Sequence, residues 1–313
     1  MLDNDEAETQ MTFLTVLLAL FIERVMRQHR PQRQHRWFDR YCERLVTSST
    51  GQWLVSRPWG GVLALLPPLL LIGWLQAFFS EMGGLFVLGF GTVVLLYSLG
   101  PRDLGDEAQA FVAARDQGDD EHASALAQAF CLSEIPDSEP RRSFAVARAV
   151  VVMAAKRLIG PLFWFVVFGP VGAAAFRAIH LLAERLQNED CPPQMKRYSD
   201  EMRHIADWAP ARITAAGYAI AGNFDAVAHA WRSFDYLADD GPLTEAEHLL
   251  ARTGLAALDT FPEDADEIED MDPMAIDAAL VAPVVEDALA LVWRSLAMWV
   301  TVIAGGSLVA ALA

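Results

Sequence analysis

The stretch VLALLPPLLLIGWLQAFFS, residues 62–80, decides the fold, because it runs for 19 residues without a charged side chain. Three more stretches have the same character, at residues 82–99, 158–176 and 295–313. An α-helix rises about 1.5 Å per residue, so roughly 20 apolar residues cover a hydrocarbon core about 30 Å thick. The sequence therefore predicts a helical membrane protein.

A shorter apolar segment at residues 11–24 predicts a first transmembrane helix. It is not the core of a secretory signal peptide, because residues 2–10 carry four acids and no basic residue. Between Arg24 and Arg57 there are eight arginines and only two acids. Positive charge flanking spans stays on the cytoplasmic side, so this loop is expected inside and the N-terminus outside. Binding of an anionic lipid or phosphate is the alternative explanation of the arginine cluster.

The stretches at 62–80 and 82–99 predict a membrane hairpin, with an outer turn at Gly83-Gly84 and a kink at Pro67-Pro68. With the last stretch as a C-terminal span, the number of spans is even and both termini lie outside. The predicted spans are 11–24, 62–80, 84–100 and 295–312.

Residues 158–176 differ from the other apolar stretches. They contain Gly160-Pro161 and Gly169-Pro170, which disfavour a straight helix, and basic residues flank both ends. We therefore predict a broken or re-entrant segment whose two ends lie on the cytoplasmic side. The next semi-apolar region, 208–224, predicts a buried or interfacial amphipathic helix, with a true span as the alternative.

The remaining sequence predicts charged helices and loops, which gives an all-α fold: a polytopic helical membrane protein with a helical cytoplasmic domain. Short helices are expected over 106–114 and 121–130, a loop over 131–140, and a long helix over 143–159 that leads into the membrane. Two amphipathic helices over 225–258 are expected to break at 239–242, before an acidic linker over 259–272. The sequence predicts six regions along the chain. They are an N-terminal extension (1–10), three transmembrane helices with the arginine-rich loop (11–100), a cytoplasmic helical region (101–157), the broken segment with amphipathic helices (158–224), cytoplasmic helices with the acidic linker (225–288) and the C-terminal transmembrane helix (289–313).

Composition and motifs exclude several classes of protein. The net charge of −17 argues against a nucleic-acid partner, which would require clustered basic residues. Three cysteines without a CxxC pair predict neither a disulfide framework nor a metal cluster. The chain has no GxxxxGK[ST], HExxH or GxSxG motif, and the acidic run does not have the spacing of a calcium loop. We therefore expect no catalytic residue, metal or cofactor.

Charges inside or beside the apolar segments are the better candidates for a site, because a charge in lipid needs a partner or water. Glu23 closes the first helix, Arg177 follows the Gly-Pro break, and Arg212 lies in an otherwise apolar helix. Either these side chains line a polar pocket, or they only neutralise one another.

Five short pieces carry a resemblance to a known family. They are LALFIER (18–24), GPLFW (160–164), FGPVGA (168–173), FRAI (176–179) and WAPARI (208–213). Together they resemble the membrane family of adenosylcobinamide-phosphate synthases (CobD/CbiB), and more closely its proteobacterial branch AmpE, the inner-membrane modulator associated with β-lactamase induction. The likeness covers roughly 11–222 and 284–305. MTFLT at Met11 resembles the usual AmpE start, which makes residues 1–10 an extension.

The chain departs from the synthase pattern where the synthases carry acids. Their run E-S-x-x-E-N-x-x-D-G corresponds here to RAVVVMAAKR at 148–157, which holds no carboxylate. Their Arg-Asp-Thr tripeptide is missing from 133–138, their Asn after Arg-Ala-Ile is His180, and a following Asp is Ala183. The resemblance implies that such acids hold Mg²⁺ and nucleotide in the synthases, so that site is not expected here.

The resemblance also gives the candidate ligand-binding residues, which are Glu23, Arg177, His180, Trp208 and Arg212. It implies a non-catalytic regulatory protein of the bacterial inner membrane, with its soluble portion in the cytoplasm. Expected partners are membrane lipid, a cell-wall-derived or nucleotide ligand, and a cytoplasmic signalling protein. The alternatives are an ATP-dependent ligase that joins an aminopropanol-type amine to a corrinoid carboxylate, and a transporter.

Overall fold

The residues described by a computed structural model are 2–25, 36–48, 60–99, 104–131, 135, 138–188, 193–234, 243–258 and 284–310. These residues form helices and turns, with no strand among them, which confirms the all-α prediction. The helices are α1 (Leu2–Val25), α2 (Arg36–Thr47), α3 (Gly60–Met82), α4 (Gly84–Ser98), α5 (Leu104–Asp116), α6 (Asp120–Phe130), α7 (Glu139–Ala154), a π-helical turn (Ala155–Ile159), α8 (Gly160–Asn188), α9 (Pro193–Ala221), α10 (Phe224–Arg232), α11 (Glu245–Ala256) and α12 (Val284–Ala310).

The chain divides into two compact units. The first comprises Met1–Pro101, Gly160–Asp207 and Ile303–Ala313, and the second comprises Arg102–Ile159 and Trp208–Val302. The first unit holds most of the predicted spans, and the second holds most of the charged helices.

In the first unit, α3 and α4 form the predicted hairpin. Gly83 makes the turn with φ of 113°, a conformation that residues with a Cβ rarely adopt. α3 continues through Pro67 and Pro68 as one helix. α4 packs against α1 and α8, and its Gly91 allows close approach, since an added Cβ would lie 3.1 Å from Thr15 Cγ2.

α2 is strongly amphipathic and packs on the first unit by one face. Its Phe38 and Cys42 are buried in a cluster with Leu65 and Leu182, whereas its described charged side chains are exposed. Tyr41 donates a hydrogen bond of 2.6 Å to the Ala64 carbonyl, and burial raises the pKa of its phenol. A short helix of this kind suits the membrane–water interface.

α8 is broken at the place that the sequence predicts. Gly169 has φ of 65° and ψ of −154°, so two helical segments meet at an angle there, with Pro170 directly after the break. The broken segment is confirmed, and the placement of both its ends in the cytoplasm stays a prediction.

Three described helical segments are long and apolar enough to cross a membrane: Gly60–Met82, Glu139–Gln187 and Val284–Gly306. Two shorter apolar helices, Met11–Glu23 and Gly84–Ser98, correspond to the other predicted spans. Among the described residues, α9 does not meet these criteria, in keeping with the amphipathic interpretation of its second half. These helices support a membrane protein.

The second unit is a helical assembly built around α7. α7 packs against α5, α6 and α11, and α10 packs against α11. α5 and α6 are joined by a turn at Gly118, as predicted, and Asp119 caps α6 by accepting a 3.0 Å hydrogen bond from the His122 amide. Its largest fully buried side chains include Phe111, Leu249 and Tyr218.

Several predicted boundaries are wrong, among them the start of α9 at Pro193, and two of the differences have a clear physical cause. α7 begins at Glu139 and not after the prolines, because Pro140 suits the first turn of a helix, where its missing N–H costs nothing. α9 ends at Ala221 because Asn223 starts a new helix, accepting a 3.1 Å hydrogen bond from the Ala226 amide.

Several predictions fall outside the described residues. They concern the break at 239–242, the acidic linker at 259–272, Cys191 and most of the arginine-rich loop. Cys42 and Cys131 form no disulfide with another described residue.

Candidate functional site

Two of the predicted site residues, Trp208 and Arg212, form one group in the second unit. They lie one turn apart on α9, so their side chains meet on the same face of the helix. The Arg212 guanidinium carbon lies 4.1 Å from the centroid of the Trp208 ring, a cation–π geometry. Arg212 also donates a 3.1 Å hydrogen bond to the Trp208 carbonyl, while half of the Trp208 surface stays exposed. The pair thus presents an aromatic surface beside a fixed positive charge.

A carboxylate from another helix completes this group. Arg212 Nη2 lies 3.1 Å from Glu245 Oε1, at the first residue of α11. Thr244 fixes that helix start through a reciprocal capping box: its hydroxyl accepts from the Glu247 amide, and its own amide donates to the Glu247 carboxylate. Sequence analysis missed Glu245, although the pattern Thr-Glu-Ala-Glu at 244–247 is a helix-start signal that could have located it.

The π-helical turn places two adjacent cations against two separate carboxylates. Lys156 donates to Glu247 of α11, and Arg157 pairs with Glu107 of α5. All four side chains are largely buried, with 15% and 5% exposure for the first pair. Arg157 also lies over the Phe130 ring, 5.7 Å from its centroid. The cations of the π-helical turn, which has no carboxylate of its own, are therefore neutralised by acids from neighbouring helices.

His180 forms a second group, which lies wholly in the first unit. Its Nε2 lies 3.0 Å from Asp207 Oδ1, and its Nδ1 lies 3.0 Å from the Phe176 carbonyl oxygen. The two atoms are close, but their geometry is not that of an aligned hydrogen bond. Both side chains are about nine-tenths buried. A His–carboxylate pair can hold or transfer a proton.

The predicted set is therefore divided between the two units. Glu23 is buried on α1, and Arg177 on α8 lines a cavity of about 200 Å³ together with Tyr97 and Ser98. These two residues and His180 belong to the first unit, whereas Trp208 and Arg212 belong to the second. The ligand-binding role of all five stays a prediction. Asp207, Glu245, Glu247 and Glu107 are the partners that sequence analysis did not find.

Two titratable groups of the second unit are shifted by burial and not by a site. Tyr218 is fully buried and donates a 2.7 Å hydrogen bond to the Val151 carbonyl, and burial raises the pKa of its phenol. Burial also raises the pKa of the Cys131 thiol to about 11, with a smaller opposing effect from Arg148. Both groups are neutral at physiological pH, which fits structural roles.

Among the described residues, no group of three or more His, Cys, Asp or Glu side chains is placed to hold a metal ion. The two described carboxylates that pair with this stretch, Glu247 and Glu107, face Lys156 and Arg157. They do not form the open set of oxygen ligands that Mg²⁺ requires, so the site implied by the synthases does not fit these residues.

Comparison with known proteins agrees with the sequence motifs. The family described as regulatory signalling modulator protein AmpE matches residues 11–254. The chain is 27% identical over 329 aligned positions to a cobalamin biosynthesis protein CobD of Stutzerimonas stutzeri, covering 94% of this chain and 97% of that protein. It is 25% identical over 242 positions to the protein AmpE of Shigella flexneri, covering 71% of this chain and 78% of that protein.

No solved structure matches the chain. The family match begins at Met11, the position from which the motifs resemble AmpE, and it extends across the broken helix α8 and the Trp208–Arg212 pair. The resemblance found in the sequence is thereby confirmed. The chain belongs to the AmpE family of regulatory signalling modulator proteins.

Proposed function

We propose that the protein is an inner-membrane regulatory modulator of the AmpE type, linked to β-lactamase induction and to the response to cell-wall stress. In this proposal the charged helices of the second unit lie in the cytoplasm, and the protein has no catalytic activity. Family membership and the apolar helices support the proposal.

The ion pairs of the π-helical turn are the main support for a protein without catalytic activity. Where the synthases have an acidic run, this chain has Lys156 and Arg157, and each is held by a carboxylate from another helix. A buried ion pair leaves neither partner available for a metal–nucleotide complex, because separating the charges leaves one of them buried and unpaired. The arrangement supports a structural role for this helix.

The Trp208–Arg212 pair is the surface at which we expect a regulatory ligand. A cell-wall-derived fragment or a nucleotide would bring a carboxylate or phosphate that competes with Glu245 for the Arg212 guanidinium. Apolar or planar parts of the ligand would lie on the exposed ring of Trp208. Release of Glu245 would remove a contact between α9 and α11, which gives the second unit a way to respond to the ligand.

The second candidate function is an ATP-dependent amide ligase of cobalamin biosynthesis. The CobD relative favours it, because the similarity extends over 94% of this chain. The residue pattern at 148–157 speaks against it, since no carboxylate there can bind magnesium.

Deletion of the gene in its native host tests the regulatory proposal. We expect altered β-lactamase induction and an altered muropeptide pool, restored by the wild-type gene and not by Arg212→Ala. Arg197→Ala is the matched control, because Arg197 lies on the same helix with 81% of its side chain exposed. Among the described contacts, its ion pair is with Glu201, one turn away. Unchanged induction and muropeptides after deletion would count against the proposal.

A further inference from the structure

The first unit contains a wholly apolar cavity between α3, α8 and α9. Its volume is about 310 Å³, and every residue that lines it is a hydrocarbon, aromatic, methionine or glycine residue. Another cavity of this unit, of about 200 Å³, differs because Arg177, Tyr97 and Ser98 contribute to its wall. The larger cavity therefore offers no side chain that would select a polar ligand.

One wall of the cavity is held in a fixed position. The Trp164 indole donates a 2.9 Å hydrogen bond to the Ala206 carbonyl, which ties α8 to α9. The Trp164 ring also stacks on Phe168, with centroids 5.5 Å apart. Trp164 and Phe168 precede the break at Gly169, and Gly172 and Ile179 follow it, so the cavity extends along both segments of the broken helix. Its shape is built into the fold.

The cavity opens onto the apolar outer surface of the unit. Several of its lining residues are also exposed, including Phe168 at 61% and Ile205 at 69%. Val62 and Leu66 belong to α3, a helix long and apolar enough to span a bilayer, and both line the cavity while remaining partly exposed. The opening is therefore continuous with the apolar outer surface of α3.

The size and lining of the cavity decide what can fill it. Water needs polar partners that this wall does not provide, whereas an apolar molecule would gain dispersion contacts with the lining side chains. An engineered apolar cavity of about 150 Å³ already stays dry and binds benzene. We propose that one acyl chain of a bilayer phospholipid lies in this cavity as a bound lipid. The proposal depends on the membrane placement of the first unit and not on the regulatory function.

Filling the cavity from within tests the proposal. Ala175 lines the cavity, and Ala175→Leu would place a larger side chain in the volume assigned to the acyl chain. Ala178→Leu is the matched control, because Ala178 lies three residues further along the same helix and lines the other cavity. Ala206→Leu is a second filling variant, from α9, in case the first does not fold.

Native mass spectrometry of the full chain, released from detergent after exchange, measures the phospholipid that each protein retains. We expect one phospholipid on the wild-type protein and on Ala178→Leu, and its loss from Ala175→Leu and Ala206→Leu with folding preserved by thermal unfolding. Equal retention by all four proteins, or no retention by the wild type, would overturn the proposal.

Fluorescence quenching gives an independent readout. Tryptophan fluorescence is measured in nanodiscs whose phospholipids carry brominated acyl chains. The contribution of Trp164 is the signal of each protein minus the signal of the same protein with Trp164→Phe. We expect Ala175→Leu to reduce this quenching and Ala178→Leu to leave it unchanged. If Ile205→Cys instead forms a disulfide-linked dimer and Trp164 is not quenched, a second copy of the chain fills the cavity and the proposal is wrong.

Discussion

Substitution of Gly169 by alanine should destabilise the protein although it adds a single methyl group. Gly169 has φ of 65° and ψ of −154°, a region of backbone space that is essentially restricted to glycine. Holding a residue with a Cβ there costs about 1–3 kcal/mol. The added Cβ would also lie 3.3 Å from the Gln76 side-chain nitrogen, but that amide is at the end of a flexible side chain and can move. Backbone strain is therefore the main cost.

Thermal unfolding of the purified protein in detergent measures the effect. In domains of 150–250 residues, 1 kcal/mol shifts the midpoint by about 2–4 °C, so Gly169→Ala should lower it by about 2–12 °C. Gly89→Ala is the matched control: it lies within α4, and an added Cβ there meets no atom within 4 Å. This control should leave the midpoint unchanged or raise it, since alanine favours a helix over glycine by up to about 1 kcal/mol.

A Gly169→Ala protein as stable as the wild type would refute the backbone conformation assigned to the break in α8. The same result would remove the reason for treating α8 as two segments. A fall in both variants would instead show that the loss is not specific to the break, and the reasoning from φ would fail.

The other predictions concern buried groups of the second unit. Lys156→Met should lower the free energy of unfolding, measured by chemical denaturation, by about 3–5 kcal/mol, because it leaves Glu247 buried without its cation. The double variant Lys156→Met with Glu247→Gln should recover most of that loss. A small loss in the single variant would contradict the pairing. Tyr218→Phe should cost about 1–2 kcal/mol by the same assay, because the Val151 carbonyl loses a buried donor, and no loss would argue against that hydrogen bond. Burial raises the pKa of the partly buried Cys131 thiol to about 11. Its alkylation near pH 8, about 3 units lower, should therefore be more than about tenfold slower in the folded than in the unfolded protein, and equal rates would contradict the raised pKa. Since the folded thiol holds its proton more tightly, the stability that it contributes is complete below its unfolded pKa, about 8.5, and falls as the pH rises toward 11.

Local sequence signals predicted the helices well. Uncharged length located the apolar segments, Gly83 located the hairpin turn, and Gly169-Pro170 located the break in α8. These features depend on neighbouring residues alone, through the length of an apolar run or the backbone freedom of glycine.

The site could be predicted only in part, because its partners come from distant positions. Trp208 and Arg212 are four residues apart, so helical spacing brings them together. By contrast, Glu245 reaches Arg212 from 33 residues away, and Glu247 reaches Lys156 from 91 residues away. Nothing in the local pattern of either carboxylate identifies its cation, and tertiary packing decides the pairing.

Genetic complementation tests most directly the claim that this chain is a regulator and not a ligase. The gene would be expressed in a strain that lacks adenosylcobinamide-phosphate synthase, with insertion of the protein confirmed by immunoblot and a functional synthase as the positive control. We predict that the strain still requires added cobalamin, because the cations at 156 and 157 occupy the place of the acidic run. Growth without cobalamin would contradict the claim and make the protein an enzyme.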